Sequence, residues 1–152
     1  DQRLALVFID LNRFKSINDQ YGHATGDSVL LEVAKRLRSA VRNSDMVARL
    51  GGDEFVVLFE GLSRSNAVEA EAQRISEQLF TALTPPMQLQ EGEFHIGASL
   101  GVAVFPDHAV TMDKLIHAAD LAMYTAKRSG NNQYRLGDDL HTQAQLLQST
   151  KH

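Results

Sequence analysis

The chain has 152 residues, enough for one domain with a sizeable core, and its 43% hydrophobic and 22% charged content is that of an ordinary globular protein. It has no cysteine, which removes disulfides and thiolate metal sites and fits a reducing compartment. A formal charge of −4 argues against a broad nucleic-acid surface, no run approaches a membrane span, and no signal-peptide pattern opens the chain. It starts almost directly in an apolar run, as a piece of a longer protein would.

Leu4 to Ile9 is continuously apolar and ends in Asp10, which predicts a strand buried on both faces. Phe14, Ile17 and Tyr21 follow at helical spacing, with Gly22 as a stop. A second helix is predicted from about Asp27 to Arg42, with Leu30, Val33, Ala34, Leu37 and Val41 in one stripe. Met46 to Leu50 and Phe55 to Phe59 flank Gly51-Gly52-Asp53-Glu54 and read as a hairpin with carboxylates at its tip. A third helix is expected to be capped near Ser63 to Ser65, to bury Val68, Ala72, Ile75, Leu79 and Leu83, and to stop at Pro85-Pro86.

Met87 to Gln90 and Phe94 to Phe105 read as a second hairpin around Glu91-Gly92. Its long arm puts Phe94, Ile96, Leu100, Val102 and Val104 on one face. Gly97, Ser99, Gly101 and Ala103 fall on the other, where little bulk leaves room for a helix or ligand. A fourth helix capped by Thr111 carries Leu115, Ala119, Ala122 and Ala126, with Met123 beside them, and stops at Gly130. Gln133 to Leu136 is a short last strand. Mixed strands and helices with two hairpins imply an α/β fold, a mixed central sheet flanked by helices. The domain is placed at residues 1–137, and 138–152 reads as a polar tail or a linker to a downstream region.

Paired acids at a glycine turn suit a hard cation such as Mg²⁺, although the same residues also make an ordinary solvated turn. Asp10 would join them if its strand neighbours the hairpin. The segment Asp10-Leu11-Asn12-Arg13-Phe14-Lys15-Ser16-Ile17-Asn18-Asp19, then Gly22-His23 and Gly26-Asp27, then Arg49-Leu50-Gly51-Gly52-Asp53-Glu54-Phe55, strongly resembles the GGDEF family of diguanylate cyclases. The resemblance covers nearly the whole chain and keeps the order and spacing of several motifs. It implies a palm-like nucleotidyl cyclase fold that joins two GTP molecules into cyclic di-GMP and releases pyrophosphate.

By matching position, the resemblance makes Asp10, Asp53 and the Leu11 carbonyl ligands of catalytic Mg²⁺, or of Mn²⁺ in its place. Glu54 becomes the second acid of the motif, and Gly52 the turn residue closest to the nucleotide. Asn18 and Asp27 match the pair that reads the guanine edge, and Lys15 and Lys127 the cations on the phosphates. The chemistry agrees: guanine offers N–H groups to a carboxylate and an acceptor to an amide, and lysines act as point charges on phosphate oxygens. Arg42-Asn43-Ser44-Asp45 resembles the family's inhibitory RxxD site for product, with Arg74 as a third contact.

Each residue alone has a plainer reading. Asp27 would serve a helix dipole, and Lys127 with Arg128 the opposite helix end. Lys15 and Asp19 are spaced to pair, and Arg42 with Asp45 would be a surface ion pair. Asn12 stands where many members have a second Asp, and Asn131 where members often have Arg after Gly130. The usual Asp-x-Leu-Thr segment before the first strand is absent.

The resemblance implies GTP as substrate, cyclic di-GMP at the inhibitory site, a transient homodimer for catalysis, and sensor or phosphodiesterase domains in the parent chain. It implies no nucleic acid, no membrane contact by this domain and a cytoplasmic site of action, the parent being free to carry an anchor. Two rivals stand beside an active cyclase. One is a catalytically weak GGDEF module that binds GTP or cyclic di-GMP and regulates an attached phosphodiesterase domain. The other is a different palm-like nucleotidyl transferase.

Overall fold

A computed structural model describes residues 2–137. The predicted tail at 138–152 lies outside the described residues. The elements are β1 (Arg3–Asn12), α1 (Phe14–Tyr21), α2 (His23–Ala40), β2 (Met46–Gly51), β3 (Glu54–Leu62), α3 (Val68–Leu83), β4 (Met87–Leu89), β5 (Gly92–Phe94), β6 (Gly97–Phe105), α4 (Met112–Ser129) and β7 (Gln133–Leu136). Five strands form a sheet in the order β2-β3-β1-β6-β7, and β4 with β5 makes a separate ribbon. All pairs in the main sheet are antiparallel except β6 with β7. The fold is therefore the mixed, helix-flanked sheet expected from the sequence.

β1 lies at the centre, paired to β3 on one side and β6 on the other. That position explains its unbroken apolar run, because helices cover both of its faces. Ala5, Val7, Ile9 and Leu11 point into the larger core with α1, α2 and α3. Leu6 and Phe8 point into a smaller core under α4. Leu30, Val33 and Leu37 of α2, Ala72, Ile75, Leu79 and Leu83 of α3, and Leu115, Ala119, Ala122 and Ala126 of α4 are buried as predicted, while Ala34, Val41 and Val68 pack against the core partly buried. Thr111 caps α4 by accepting from the Lys114 amide at 3.3 Å, and Gly130 ends it at φ 125°.

The bare face of β6 receives α4. A Cβ on Gly101 would stand 2.0 Å from the Ala119 carbonyl oxygen and 2.3 Å from the Met123 nitrogen. Only glycine allows the helix backbone this close, and α4 in turn fixes where its last turn delivers Lys127.

Four boundaries differ from expectation. β1 continues to Asn12, because β6 pairs with it as far as Gly97. α2 begins at His23, directly after Gly22, so Asp27 sits in its second turn rather than at its start, and the helix ends at Ala40 before Arg42. α3 begins at Val68 with Ala67 at the cap position, and Ser63 and Ser65 bond each other in a turn instead. The long arm of the second hairpin is split. Gly92–Phe94 pairs with β4 in the ribbon, the ladder stops at His95-Ile96, and β6 restarts in the main sheet. Alternation survives the break: Phe94, Ile96, Leu100, Val102 and Val104 still share one core. Periodicity therefore could not reveal it.

Candidate functional site

Register brings the acids together. Asp10 is opposite Glu54 on β3 and Ser99 on β6. β2 and β3 are joined through Gly52-Asp53, with Gly51 at φ 146° and Gly52 at φ 52°, a backbone that side chains resist. Two bonds fix the tip. The Leu11 amide donates to the Asp53 carbonyl at 3.2 Å, and Arg49 Nε donates to the Gly52 carbonyl at 3.0 Å. The hairpin tip is thus fastened to the end of the central strand.

Lys127, from the last turn of α4, reaches across to Asp10, with Nζ 2.8 Å from Oδ2. Asp10 is 3% exposed. Around it lies a cleft of about 510 Å³ lined by Asp10, Glu54, Asp120, Leu121, Met123, Tyr124, Lys127 and Arg128. Arg128 stacks over the Tyr124 ring at 5.9 Å. Burial, then the charge of Asp10, pushes the Asp53 carboxyl up. Burial and the charges of Asp10, Asp120 and Asp53 do the same to Glu54. The hydrogen bond to Asp10, and then the surrounding carboxylates, raise Lys127. Carboxylates outnumber cations here, and a cation is the simplest way to relieve them.

Among the described residues, no three His, Cys, Asp or Glu side chains form a ready metal cage. The donor set is a pair of carboxylates, Asp10 and Asp53, beside strand backbone. That fits Mg²⁺, which keeps waters and is commonly held by one or two carboxylates together with substrate phosphates.

The second group lies on α1 and α2, which meet at Gly22. Asn18 is half-buried, its Oδ1 has no hydrogen-bond partner, and a Cβ on Gly26 would stand 1.9 Å from that atom. Gly26 therefore makes the space that Asn18 fills, and exposed Asp27 follows directly. An orphaned buried amide oxygen costs stability and calls for an explanation. Lys15 is exposed on α1 and forms no ion pair with Asp19. The first turn of α1 has neither a side-chain cap nor an acid. With Asp27 beyond the first turn of α2, the helix-dipole reading of that residue loses its geometry.

Arg42, Asp45 and Arg74 line a separate pocket of about 300 Å³ with Glu71 and Gln78. Their roles there differ. Asp45 is 3% exposed, and its oxygens accept from the Glu60 and Arg42 amides, both at 3.0 Å. Burial raises the Asp45 carboxyl, but the Glu60 and Arg42 amides and the Arg42 guanidinium outweigh it and hold the group below its ordinary value. Arg42 is largely exposed and also donates to the Glu60 carbonyl, while Arg74 pairs with Glu71 at 3.0 Å. Asp45 ties the α2–β2 loop to β3, and the two arginines face the pocket.

Sequence reasoning gave no role to Asp120, Arg49 or Gly26. Asp120 looks like any polar residue on an amphipathic helix, and the other two act through backbone proximity. Asn12 hydrogen-bonds Ser99 Oγ at 3.1 Å. With its amide oxygen turned toward the backbone, it accepts from the Ala98 and Asn132 amides at 3.2 Å.

A family model described as "Diguanylate cyclase, GGDEF domain" matches residues 1–133. The diguanylate cyclase TpbB of Pseudomonas aeruginosa is 44% identical over 138 residues, which is 90% of this chain and 31% of that protein. The solved GGDEF domain of TpbB superimposes with a TM-score of 0.86 at 42% identity, covering 97% of this chain and 83% of that one. MucR of the same species, a bifunctional diguanylate cyclase and cyclic di-GMP phosphodiesterase, is 45% identical over 88% of this chain and 19% of its own length. The GGDEF domain of DgcB from Caulobacter crescentus, solved in complex with c-di-GMP, gives a TM-score of 0.74 at 26% identity, covering 90% of this chain and 78% of that one. The chain thus spans under a third of the two curated relatives.

Asp45 generates a stability prediction. Asp45→Asn turns a donor toward an amide that already donates, so a buried N–H is left unpaired at a cost of about 1–3 kcal/mol. Because the native carboxyl is held low, its contribution is complete above about pH 4 and disappears as pH falls through the native value. Urea denaturation should show the deficit at pH 7 and a smaller one at pH 3. Equal stability of the two proteins at pH 7 would remove Asp45 from this role.

Proposed function

The chain belongs to the GGDEF, diguanylate cyclase, family, and from that premise we propose that this domain condenses two GTP molecules into cyclic di-GMP with release of pyrophosphate. The observation that carries the reading is the meeting of Asp10, Asp53 and Glu54 through strand register, beside Lys127. Asp10 and Asp53, with the Leu11 carbonyl, would hold Mg²⁺ or Mn²⁺. When bound, the metal lowers the pKa of the attacking hydroxyl and stabilises charge on the phosphoryl oxygens.

The chain's own residues do the rest. Lys127 places positive charge beside Asp10, where phosphate oxygens would lie. Lys15 stands on α1 beside the uncapped first turn, whose N–H groups point outward as an anion site. Asn18 would offer its amide N–H groups to the acceptor on the guanine edge, and Asp27 its carboxylate to the guanine N–H groups. Glu54 lies opposite Asp10, and burial and the neighbouring carboxylates raise its carboxyl, which makes it a better proton acceptor for the 3′-hydroxyl or a support for the cation. The bare Gly51-Gly52 turn lets nucleotide approach the backbone.

One such site holds one GTP, and the product needs two. Two copies of the domain must therefore meet face to face, each 3′-hydroxyl attacking the other's α-phosphate. Sensor or phosphodiesterase domains in the parent chain would control that meeting, in the cytoplasm where GTP is found. Among the described residues, no helix is long and apolar enough to cross a membrane. Asn12 and Asn131 favour a second reading, a weakly active module that binds nucleotide and regulates an attached phosphodiesterase domain. Each is a neutral amide where the family pattern carries charge.

The test is incubation of concentrated domain with GTP and Mg²⁺, followed by chromatography. GTP, and not ATP, should be converted to cyclic di-GMP. Asp53→Asn should lose nearly all of that activity while keeping its fold, because a half-exposed turn residue contributes charge rather than packing. A well-folded Asp53→Asn protein that retains most of the rate would contradict the assignment, and a wild type that binds GTP without product would favour the regulatory module.

The pocket of Arg42, Asp45 and Arg74 is proposed as the product-binding inhibitory site, with the two guanidiniums as donors to guanine O6 and N7. Calorimetry should show cyclic di-GMP binding weakened in Arg42→Ala and the uninhibited rate preserved. Equal affinity in the two proteins would leave Arg42 and Asp45 as a loop brace alone.

A further inference from the structure

The arginine pocket contains a buried acid that the loop brace does not use. Glu71 lies on α3, a helix that otherwise buries apolar residues and one serine. It is 4% exposed and lines the pocket with Arg42 and Arg74. Its Oε2 accepts from Arg74 Nε at 3.0 Å, and its Oε1 accepts from nothing among the described residues. Among those residues, Asn18 Oδ1 and Ser76 Oγ are the side-chain atoms both sealed and unpartnered, so Glu71 Oε1 keeps an opening to the pocket. A carboxylate this far from water, with one donor for two oxygens, is costly until a second donor meets it.

The pocket's hydrogen-bonding groups are unequally available. Both oxygens of Asp45 are taken by backbone amides. Arg42 keeps Nη1, and Arg74 keeps both Nη groups, without a partner among the described residues. Two guanidiniums against two carboxylates leave the lining close to neutral, so charge alone gives a bare phosphate little preference. What remains is a pattern of guanidinium donors beside one free carboxylate oxygen, against the apolar walls of Phe59 and Leu62. Guanine matches it, with O6 and N7 as acceptors and N1–H and the N2 amino group as donors. Adenine does not, because it offers a lone pair at N1 where guanine offers a proton.

We propose that Glu71 is the residue that selects guanine in this pocket, its Oε1 accepting from the N1–H and N2 amino edge while the arginines donate to O6 and N7. The inference rests on the reading of the pocket as the cyclic di-GMP site. It moves the acceptor for the base from Asp45, whose carboxylate braces the loop, to a side chain on α3. The Glu71–Arg74 contact holds Arg74 by Nε alone and leaves its two Nη groups for the ligand. In the plainer reading, Glu71 in the first turn of α3 only serves the helix dipole, where no side chain caps the helix. That role would change stability and leave ligand selection untouched.

Calorimetry with cyclic di-GMP and with cyclic di-IMP, which lacks only the N2 amino groups, tests this first in the wild type. Cyclic di-IMP should bind roughly tenfold more weakly. Glu71→Gln keeps an oxygen for Arg74 Nε but turns an amide N–H toward the base. It should bind cyclic di-GMP roughly tenfold more weakly than wild type, and the gap between the two ligands should narrow to about twofold. Glu71→Ala should show the same narrowing. Equal wild-type affinity for the two dinucleotides would overturn the inference, as would an unchanged cyclic di-GMP affinity in the folded variants. An equal loss for both ligands in Glu71→Gln would also overturn it, reducing Glu71 to a support for Arg74. Each of these leaves the inhibitory-site reading to stand or fall by Arg42→Ala. A wild type that binds no cyclic di-GMP would overturn that reading, and this inference with it.

Discussion

Asp10 is a carboxylate almost without access to water, and Lys127 holds it at 2.8 Å from another element of the fold. A buried charge with its partner removed is strongly unfavourable, so the two ends of this contact constrain each other. Asp10 is placed by the register of the central strand, and Lys127 by the seating of α4 on the glycine face of β6. The hairpin tip is then fixed to the same point by the bond from the Leu11 amide to the Asp53 carbonyl. Sheet register, helix packing and turn geometry therefore converge on one small volume that carries excess negative charge.

Around this centre the domain separates its tasks by place. The acidic cleft lies on the α4 face. The unsatisfied Asn18 amide and Asp27 lie where α1 meets α2. The arginine pocket is built between the α2–β2 loop, β3 and α3, away from the cleft residues. Asp45 shows how a motif can be half structural. Its carboxylate is consumed in bracing the loop, and the Arg42 guanidinium beside it bonds Asp45 and the Glu60 carbonyl while the side chain stays largely exposed.

Much of this was legible in the sequence because it rests on short-range rules. The apolar run before Asp10, the helical stripes and the Gly-Gly turn each announce their own structure. The order of the motifs then placed Asp10, Asp53 and Lys127 in one site before any contact was known. What the sequence hid was non-local. The break at His95-Ile96 preserves alternation, so only strand pairing reveals it. The start of α2 at His23 is decided by Gly22 rather than by a capping side chain. The closeness of Gly26 to Asn18 and of Asp120 to Glu54, and the burial of Asp45, arise from packing between elements that no periodicity records.

The central claim is that Asp10 and Asp53 together form a divalent-cation site whose charge Lys127 only partly balances. Titration of Mn²⁺ into the nucleotide-free domain, with free Mn²⁺ followed by electron paramagnetic resonance, tests it most directly. The wild type should deplete the free signal in a saturable way, and Asp10→Asn and Asp53→Asn, both folded, should each restore it. Equal depletion by all three proteins would contradict the account.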